Sequence, residues 1–300
     1  PMKRIWDKIS DNGPALVLVA AVGFSVMVLG VRAAKPLPAA EVTFLRFFFA
    51  GLAMWGLHGI GVVRLEFHNR RLLALRGIIA GGAVTCFFFA IQHVHIGVAT
   101  LLNNTFPFFA LVVAVFFGQE RFNRHNAVSL GLAASGLYFI FAPRIGAFGV
   151  ELGTALGLIS GMLGGCAFVV IRELRRTDEA PAIYAAMSMG GAAISLPLAL
   201  ADWQVPTPRE WGWVLVVAVG STIAQLLMNH ALRYLTASAG AVTAMATTVF
   251  ASLWGIFLFG EIYPQSFWVG AALIFCAASY IAWQGKKNRA VGADIQAEAS

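Results

Sequence analysis

The sequence predicts an all-α integral membrane protein, with ten transmembrane helices arranged as two inverted five-helix repeats around a central cavity. Of its 300 residues, 59% are hydrophobic, and the mean hydropathy of +0.77 exceeds what a soluble fold of this size could bury. The apolar stretches number ten, and the second five resemble the first five. Because five is odd, the second copy enters the bilayer from the opposite side, the arrangement that secondary transporters use for alternating access.

Stretches of membrane-spanning length recur along the chain with short connections. A helix needs about 20 apolar residues to cross a hydrocarbon core about 30 Å thick. The predicted spans are residues 14–32, 40–60, 72–93, 97–117, 126–142, 151–171, 181–200, 211–232, 236–259 and 266–284. We therefore divide the chain into a first repeat (13–142), a second repeat (151–284) and a tail (285–300) that we expect to be cytoplasmic and disordered.

The basic residues predict the orientation, because Lys and Arg accumulate in cytoplasmic loops. Of the 21 Lys and Arg residues, sixteen fall at the N-terminal end or in alternate connections on the same side, Arg76 among them. Four fall on the other side, and Arg46 lies inside a span. We expect both termini to be cytoplasmic. The net charge of +7 follows from this asymmetry, and no basic helix or aromatic platform indicates a nucleic-acid partner.

The two halves align without a gap at an offset of 141 residues. This alignment pairs Phe109 with Phe250 and Glu120 with Glu261, each glutamate standing where the fourth helix of its repeat gives way to the fifth. Since each repeat is odd, we expect Glu120 at the cytoplasmic face and Glu261 at the external face. This placement is typical of a two-fold axis in the membrane plane.

Three segments carry a specific resemblance: PFFALVVAVFFGQE (107–120), FASLWGIFLFGEIY (250–263) and LRFFFAG (45–51). They resemble the EamA repeats of the drug/metabolite transporter superfamily, and particularly its ten-helix exporters of aromatic amino acids. The resemblance implies a monomeric ten-helix basket in a bacterial inner membrane. It also implies a central cavity lined chiefly by the third, fourth, eighth and ninth helices.

Polar and aromatic residues form stripes on those four predicted helices. An amide or hydroxyl that faces lipid leaves its hydrogen bonds unmade, so these stripes should face protein or a wet cavity. They can line a cavity or hold neighbouring helices together, and the sequence leaves both alternatives open. The candidate substrate-binding residues are Thr85, Phe89, Gln92, Asn103, Pro107, Ser221, Gln225, Asn229, Thr243, Thr247, Phe250 and Trp254.

A second group of residues has candidate structural or gating roles. Glu120 and Glu261 are expected to anchor the repeats, with a coupling-ion role as the alternative. Arg46 is expected to pair with Glu41 near the external face, although contact with a substrate carboxylate is also open. Gly157 and Gly161 belong to a ridge with a glycine at every fourth position, which lets another backbone approach closely for packing or sliding.

The predicted function is export of amino acids, most of all aromatic or large hydrophobic ones, by alternating access. The alternatives are another small metabolite of the same superfamily, such as a nucleoside or a sugar-linked solute, or a channel or sensor. No motif typical of an intramembrane enzyme is present, and we expect no cofactor and no metal.

The ionisable residues bear on coupling and on cargo. No Asp or Glu falls at mid-membrane in the predicted spans, so we expect facilitated diffusion or exchange. An anionic cargo would call for Lys or Arg at mid-membrane, where the sequence offers Arg46 alone.

Overall fold

The computed structural model describes residues 12–34, 37–93, 102–141, 152–259 and 265–298, and it confirms the all-helical fold. The first half contains α1 (Gly13–Ala33), α2 (Ala39–Gly59), α3 (Arg70–His93), α4 (Phe106–Phe116) and α5 (Arg124–Phe141). The second half contains α6 (Leu152–Leu174), α7 (Ala180–Ala201), α8 (Pro208–Ala231), α9 (Ala237–Ala244), α10 (Ala246–Phe259) and α11 (Gln265–Glu298). The last helix continues to Glu298, through the segment for which the sequence predicts disorder.

Within the described residues, seven segments are long and apolar enough to cross a bilayer, by length and composition. They are α1, α2, α3, α6, α7, α8 and the combined stretch Ala237–Leu258, which joins α9 and α10. Two shorter apolar helices, Phe106–Phe116 and Gln265–Tyr280, accompany them. Large apolar side chains such as Phe116 and Leu200 stay exposed on the outside of the bundle, as lipid contact requires.

Helix packing follows a pseudo-two-fold pattern. The most extensive contacts join α1 to α8 and α3 to α6. In both pairs the first helix of one repeat packs on the third helix of the other repeat. The contact of α4 with α6 is matched in the same way by that of α10 with α1. Two further pairs each join a helix to its own counterpart in the other repeat: α2 packs on α7, and α5 packs on α11. Such pairs are expected next to the pseudo-two-fold axis.

One pair of contacts departs from this symmetry. Helix α3 packs more extensively on α7 than its counterpart α8 packs on α2. At the α3–α7 crossing Gly77 meets Gly190, and a Cβ atom added to Gly190 would stand 2.5 Å from the Cα of Gly77. Two glycines therefore permit a backbone-to-backbone contact that larger residues would prevent.

The connections alternate between two ends of the bundle. At one end, which we call the basic end, the Asp178 carboxylate accepts hydrogen bonds from the backbone N–H groups of His68 (2.8 Å) and Asn69 (3.2 Å). At the opposite end the backbone N–H of Gln204 donates to Glu41 Oε2 at 3.0 Å. Most of the loop arginines lie in the connections of the basic end.

Candidate functional site

Both fourth elements of the repeats are broken at corresponding points. Helix α4 is preceded by a turn in which Thr105 N–H bonds to Leu102 O (3.2 Å) and Phe108 N–H bonds to Thr105 O (3.0 Å). Helices α9 and α10 are separated by Met245, and the same spacing recurs: Met245 N–H to Val242 O (3.2 Å) and Thr248 N–H to Met245 O (3.0 Å). The first break is followed by Pro107, whereas the second repeat breaks without a proline.

The two breaks face each other across the repeat interface. Asn104 Nδ2 donates to Thr248 Oγ1 at 2.9 Å, and both side chains are buried. Next to this bond, Ser160 Oγ of α6 lies 3.1 Å from Asn103 Oδ1 and 2.6 Å from Gly157 O. Broken helices with polar groups between two repeats are the usual setting of a transporter's binding site.

The stripe on α9 and α10 reaches α1. The Trp254 indole N–H donates to Ser25 Oγ at 2.9 Å, and the Phe250 ring lies edge-on to Phe275 at 5.8 Å. Thr243 is fully buried and donates to Ala239 O within its own helix, while Thr247 is half-buried. The α10 part of the stripe is thus the more accessible part.

The stripe on α8 points in part toward α7. Gln225 Nε2 donates to Asn229 Oδ1 at 2.9 Å, and Asn229 Nδ2 lies 3.5 Å from Ala180 O, at the start of α7. Ser221 is buried and donates to Ala218 O at 3.1 Å. These contacts favour a helix-joining role for Asn229 over contact with a solute.

The stripe on α3 has one unsatisfied group. The Thr85 hydroxyl oxygen is buried and has no hydrogen-bond partner among the described residues. Phe89 is half-buried on the same helix, and the Gln92 side chain lies outside the described residues. Pro107 is buried in the first turn of α4.

The glycine ridge of α6 packs on the first broken helix. A Cβ atom on Gly161 would stand 2.5 Å from Thr105 Oγ1, and one on Gly157 would stand 3.0 Å from the Leu102 side chain. The glycines thus let α6 touch the break before α4 directly.

Glu120 lies at the basic end and joins three elements. Its buried carboxylate accepts from Ser238 N–H at 3.1 Å and from the Ser238 hydroxyl, and it lies 3.5 Å from Arg172 Nη1. The connection after α4 is thereby held to α6 and to the start of α9. Its repeat partner Glu261 lies outside the described residues.

Arg46 does not pair with Glu41, contrary to the expectation from sequence. Five residues along an α-helix turn the side chain about 140° past a full turn, so the two groups leave α2 in different directions. Glu41 turns to Gln204, while the Arg46 guanidinium lies 5.1 Å from the Phe47 ring centroid.

Arg76 is likewise not a loop residue, although we counted it with the cytoplasmic basic residues. Helix α3 begins at Arg70, so Arg76 lies inside the span, and its side chain is only 3% exposed. Its Nη2 atom lies 3.1 Å from Met187 Sδ of α7. The apolar residues Leu72 and Leu73, which precede Arg76 in the chain, were the signal that could have placed it there.

Four further polar residues of this interior were not singled out from sequence: Ser25, Asn104, Ser160 and Tyr184. Each lies on a helix that sequence reasoning placed, but hydroxyls and amides are common in membrane helices. Only the packing shows which of them face one another. Tyr184, for example, makes its hydrogen bond with Thr222 of α8 at 3.0 Å.

A sequence profile of the EamA-like transporter family matches the chain over residues 12–142 and 151–283. The protein therefore belongs to the EamA-like transporter family of the drug/metabolite transporter superfamily. It is a multi-pass membrane transporter built from two EamA repeats, and not an enzyme.

Characterised relatives resemble the chain over most of its length. The pseudopaline exporter CntI of Pseudomonas aeruginosa is 28% identical over 280 residues, covering 92% of this chain and 98% of that protein. An S-adenosylmethionine uptake transporter of Rickettsia prowazekii is 23% identical over 257 residues, covering 83% and 84%. A solved crystal structure superposes with a TM-score of 0.78 at 17% identity, over 92% of this chain and 98% of the other, which supports the fold.

Proposed function

We propose that the protein exports amino acids with large apolar or aromatic side chains across a bacterial inner membrane by alternating access. The observation that carries the proposal is the pair of broken helices, joined by the Asn104–Thr248 hydrogen bond at the interface of the two repeats. The bond lies where a rocking motion of one repeat against the other would keep a solute at the centre.

The groups around the breaks suit a solute with an apolar body and a polar head. Trp254 and Phe250 of α10 offer ring surface, and the half-buried Asn103 amide offers hydrogen-bonding groups at the first break. On α3, the unpaired Thr85 hydroxyl is a further hydrogen-bonding group. A few convergent polar groups on an apolar wall are typical of small-molecule sites. We place both termini on the cytoplasmic side, because the basic end carries most of the loop arginines.

The relatives suggest a second candidate, a bulkier solute built on an amino acid. S-adenosylmethionine is an amino acid that carries a nucleoside, and one set of relatives is described by its uptake. Such a solute would use the same polar groups for its amino-acid head and would need more room for its body.

The experiment is uptake of labelled L-phenylalanine into proteoliposomes that hold the purified protein. Unlabelled aromatic amino acids, S-adenosylmethionine, nucleosides and sugars serve as competitors. We expect saturable uptake that aromatic amino acids block. If labelled L-phenylalanine enters no faster than into protein-free liposomes, or if aromatic amino acids do not block its uptake, the substrate proposal is wrong.

A further inference from the structure

Two buried arginines lie in the same part of the bundle interior, and no carboxylate of the described residues pairs with either of them. Arg46 of α2 is 4% exposed and Arg76 of α3 is 3% exposed. The Nε atom of each is buried without a hydrogen bond. The Arg46 guanidinium lies over the Phe47 ring and Arg76 Nη2 lies against Met187, and Phe47 and Met187 belong to one buried apolar cluster.

Nothing in the described part of the chain neutralises these charges. No described carboxylate lies within 4.0 Å of either guanidinium, while Arg172 and Arg175 each reach a glutamate. Arg76 contacts the thioether of Met187, which is a weak acceptor. Two like charges buried without a counter-charge are unfavourable, so this arrangement needs an anion.

The surrounding helices place the pair beside the transport pathway proposed above. Arg76 precedes Gly77, where α3 crosses α7. Phe47, which follows Arg46, packs against Gly191 of α7 and shares a buried cluster with Tyr184. The Tyr184 hydroxyl is hydrogen-bonded to Thr222 of α8. Helices α3 and α8 thus contribute both to this cluster and to the polar stripes.

We propose that Arg46 and Arg76 form an anion-binding site that receives the carboxylate of the transported solute. The guanidinium group binds a carboxylate through two parallel N–H···O bonds, and an Nε–H group without a partner is one of the donors in that geometry. The identity of the solute rests on the proposed function. The need for an anion follows from the two buried arginines and does not depend on that proposal.

The test measures binding without transport. The purified full-length protein is heated in detergent with sodium 3-phenylpropionate, with neutral 3-phenylpropanamide, or with sodium chloride at the same ionic strength. A ligand that binds the folded state raises Tm. We expect a concentration-dependent rise with the carboxylate that neither the amide nor chloride reproduces.

Neutral variants then locate the site. Arg46→Met and Arg76→Met should each lose the carboxylate-specific rise, whereas Arg64→Met, which changes an exposed arginine of the basic end, should keep it. Replacing an unpaired buried charge with an apolar side chain should not unfold the protein.

Met187 offers a variant that does not remove either arginine. Met187→Glu places a carboxylate beside Arg76, so it should raise the Tm of the free protein and abolish the further rise with 3-phenylpropionate. Met187→Gln has the same size without the charge and should keep the ligand effect.

Two results would overturn the assignment: an equal rise with carboxylate and with chloride or amide, or a carboxylate-specific rise that survives in Arg46→Met, Arg76→Met and Met187→Glu. A different pattern separates this inference from the proposed function. If phenylalanine is not transported but the carboxylate effect still depends on both arginines, the anion site stands and the solute is a different carboxylate.

Discussion

The glycine contact between α3 and α7 allows a substitution whose effect can be worked out from distances. In Gly190→Ala the new Cβ would stand 2.5 Å from the Cα and 2.6 Å from the carbonyl carbon of Gly77. Both neighbours are backbone atoms, so no side chain can rotate away. To restore van der Waals contact the helices would have to separate by about 1 Å.

The magnitude follows from two opposing effects. Alanine is better than glycine inside a helix by about 1 kcal/mol. Overpacking typically costs about 1–3 kcal/mol, and a clash between two backbones belongs at the upper end of that range. We expect a net loss of about 2 kcal/mol, which should lower Tm by about 4 °C or more.

The assay is thermal unfolding of the purified protein in detergent, followed by tryptophan fluorescence. Gly131→Ala is the matched control, because Gly131 lies inside α5 and a Cβ there meets no atom within 4 Å. Gly77→Ala should be intermediate, since its Cβ would stand 2.9 Å from Ala186 O. If Gly190→Ala melts at the same temperature as Gly131→Ala, the close α3–α7 contact is wrong.

Three further substitutions test hydrogen bonds at other sites. Glu120→Gln removes the charge beside Arg172 and should destabilise the protein by about 1.5–3 kcal/mol, the usual contribution of a charged hydrogen bond, while correctly folded protein keeps normal uptake. Full stability with abolished uptake would favour the coupling role instead. Trp254→Phe should lower the free energy of unfolding by about 1 kcal/mol, and in a double-mutant cycle with Ser25→Ala the two decreases should not be additive. Additive decreases would mean that no hydrogen bond joins the two side chains. Thr207→Ala removes the N-cap of α8 and should lower stability by about 1 kcal/mol without changing uptake; an unchanged Tm would contradict the capping box.

The positions of the helices were largely predictable from sequence. Lipid requires long apolar stretches, so each described helix overlaps one of the predicted spans, and α2 begins at Ala39 against a prediction of 40. The breaks in the fourth helices were less predictable. A proline, Pro107, directly follows the first break, but no residue of comparable effect on a helix marks Met245 in the second repeat.

The interior contacts required the structure. Arg76 lay within the predicted span 72–93, yet the positive-inside rule assigned it to the cytoplasmic loops. That rule counts basic residues near the ends of spans and does not test whether their side chains are buried. The partner of Arg46 was mispredicted for a geometric reason, since a spacing of five places two side chains on different faces of a helix. Asn104–Thr248 and Trp254–Ser25 join residues from different repeats, which sequence spacing cannot relate.

The most direct test of the central claim is counterflow in proteoliposomes. Vesicles preloaded with unlabelled L-phenylalanine are diluted into a trace of labelled L-phenylalanine, and the label inside is followed with time. A carrier that alternates between two sides should accumulate label transiently above its equilibrium level, and this overshoot should saturate with substrate concentration. Entry that neither overshoots nor saturates would indicate a channel and would contradict the account.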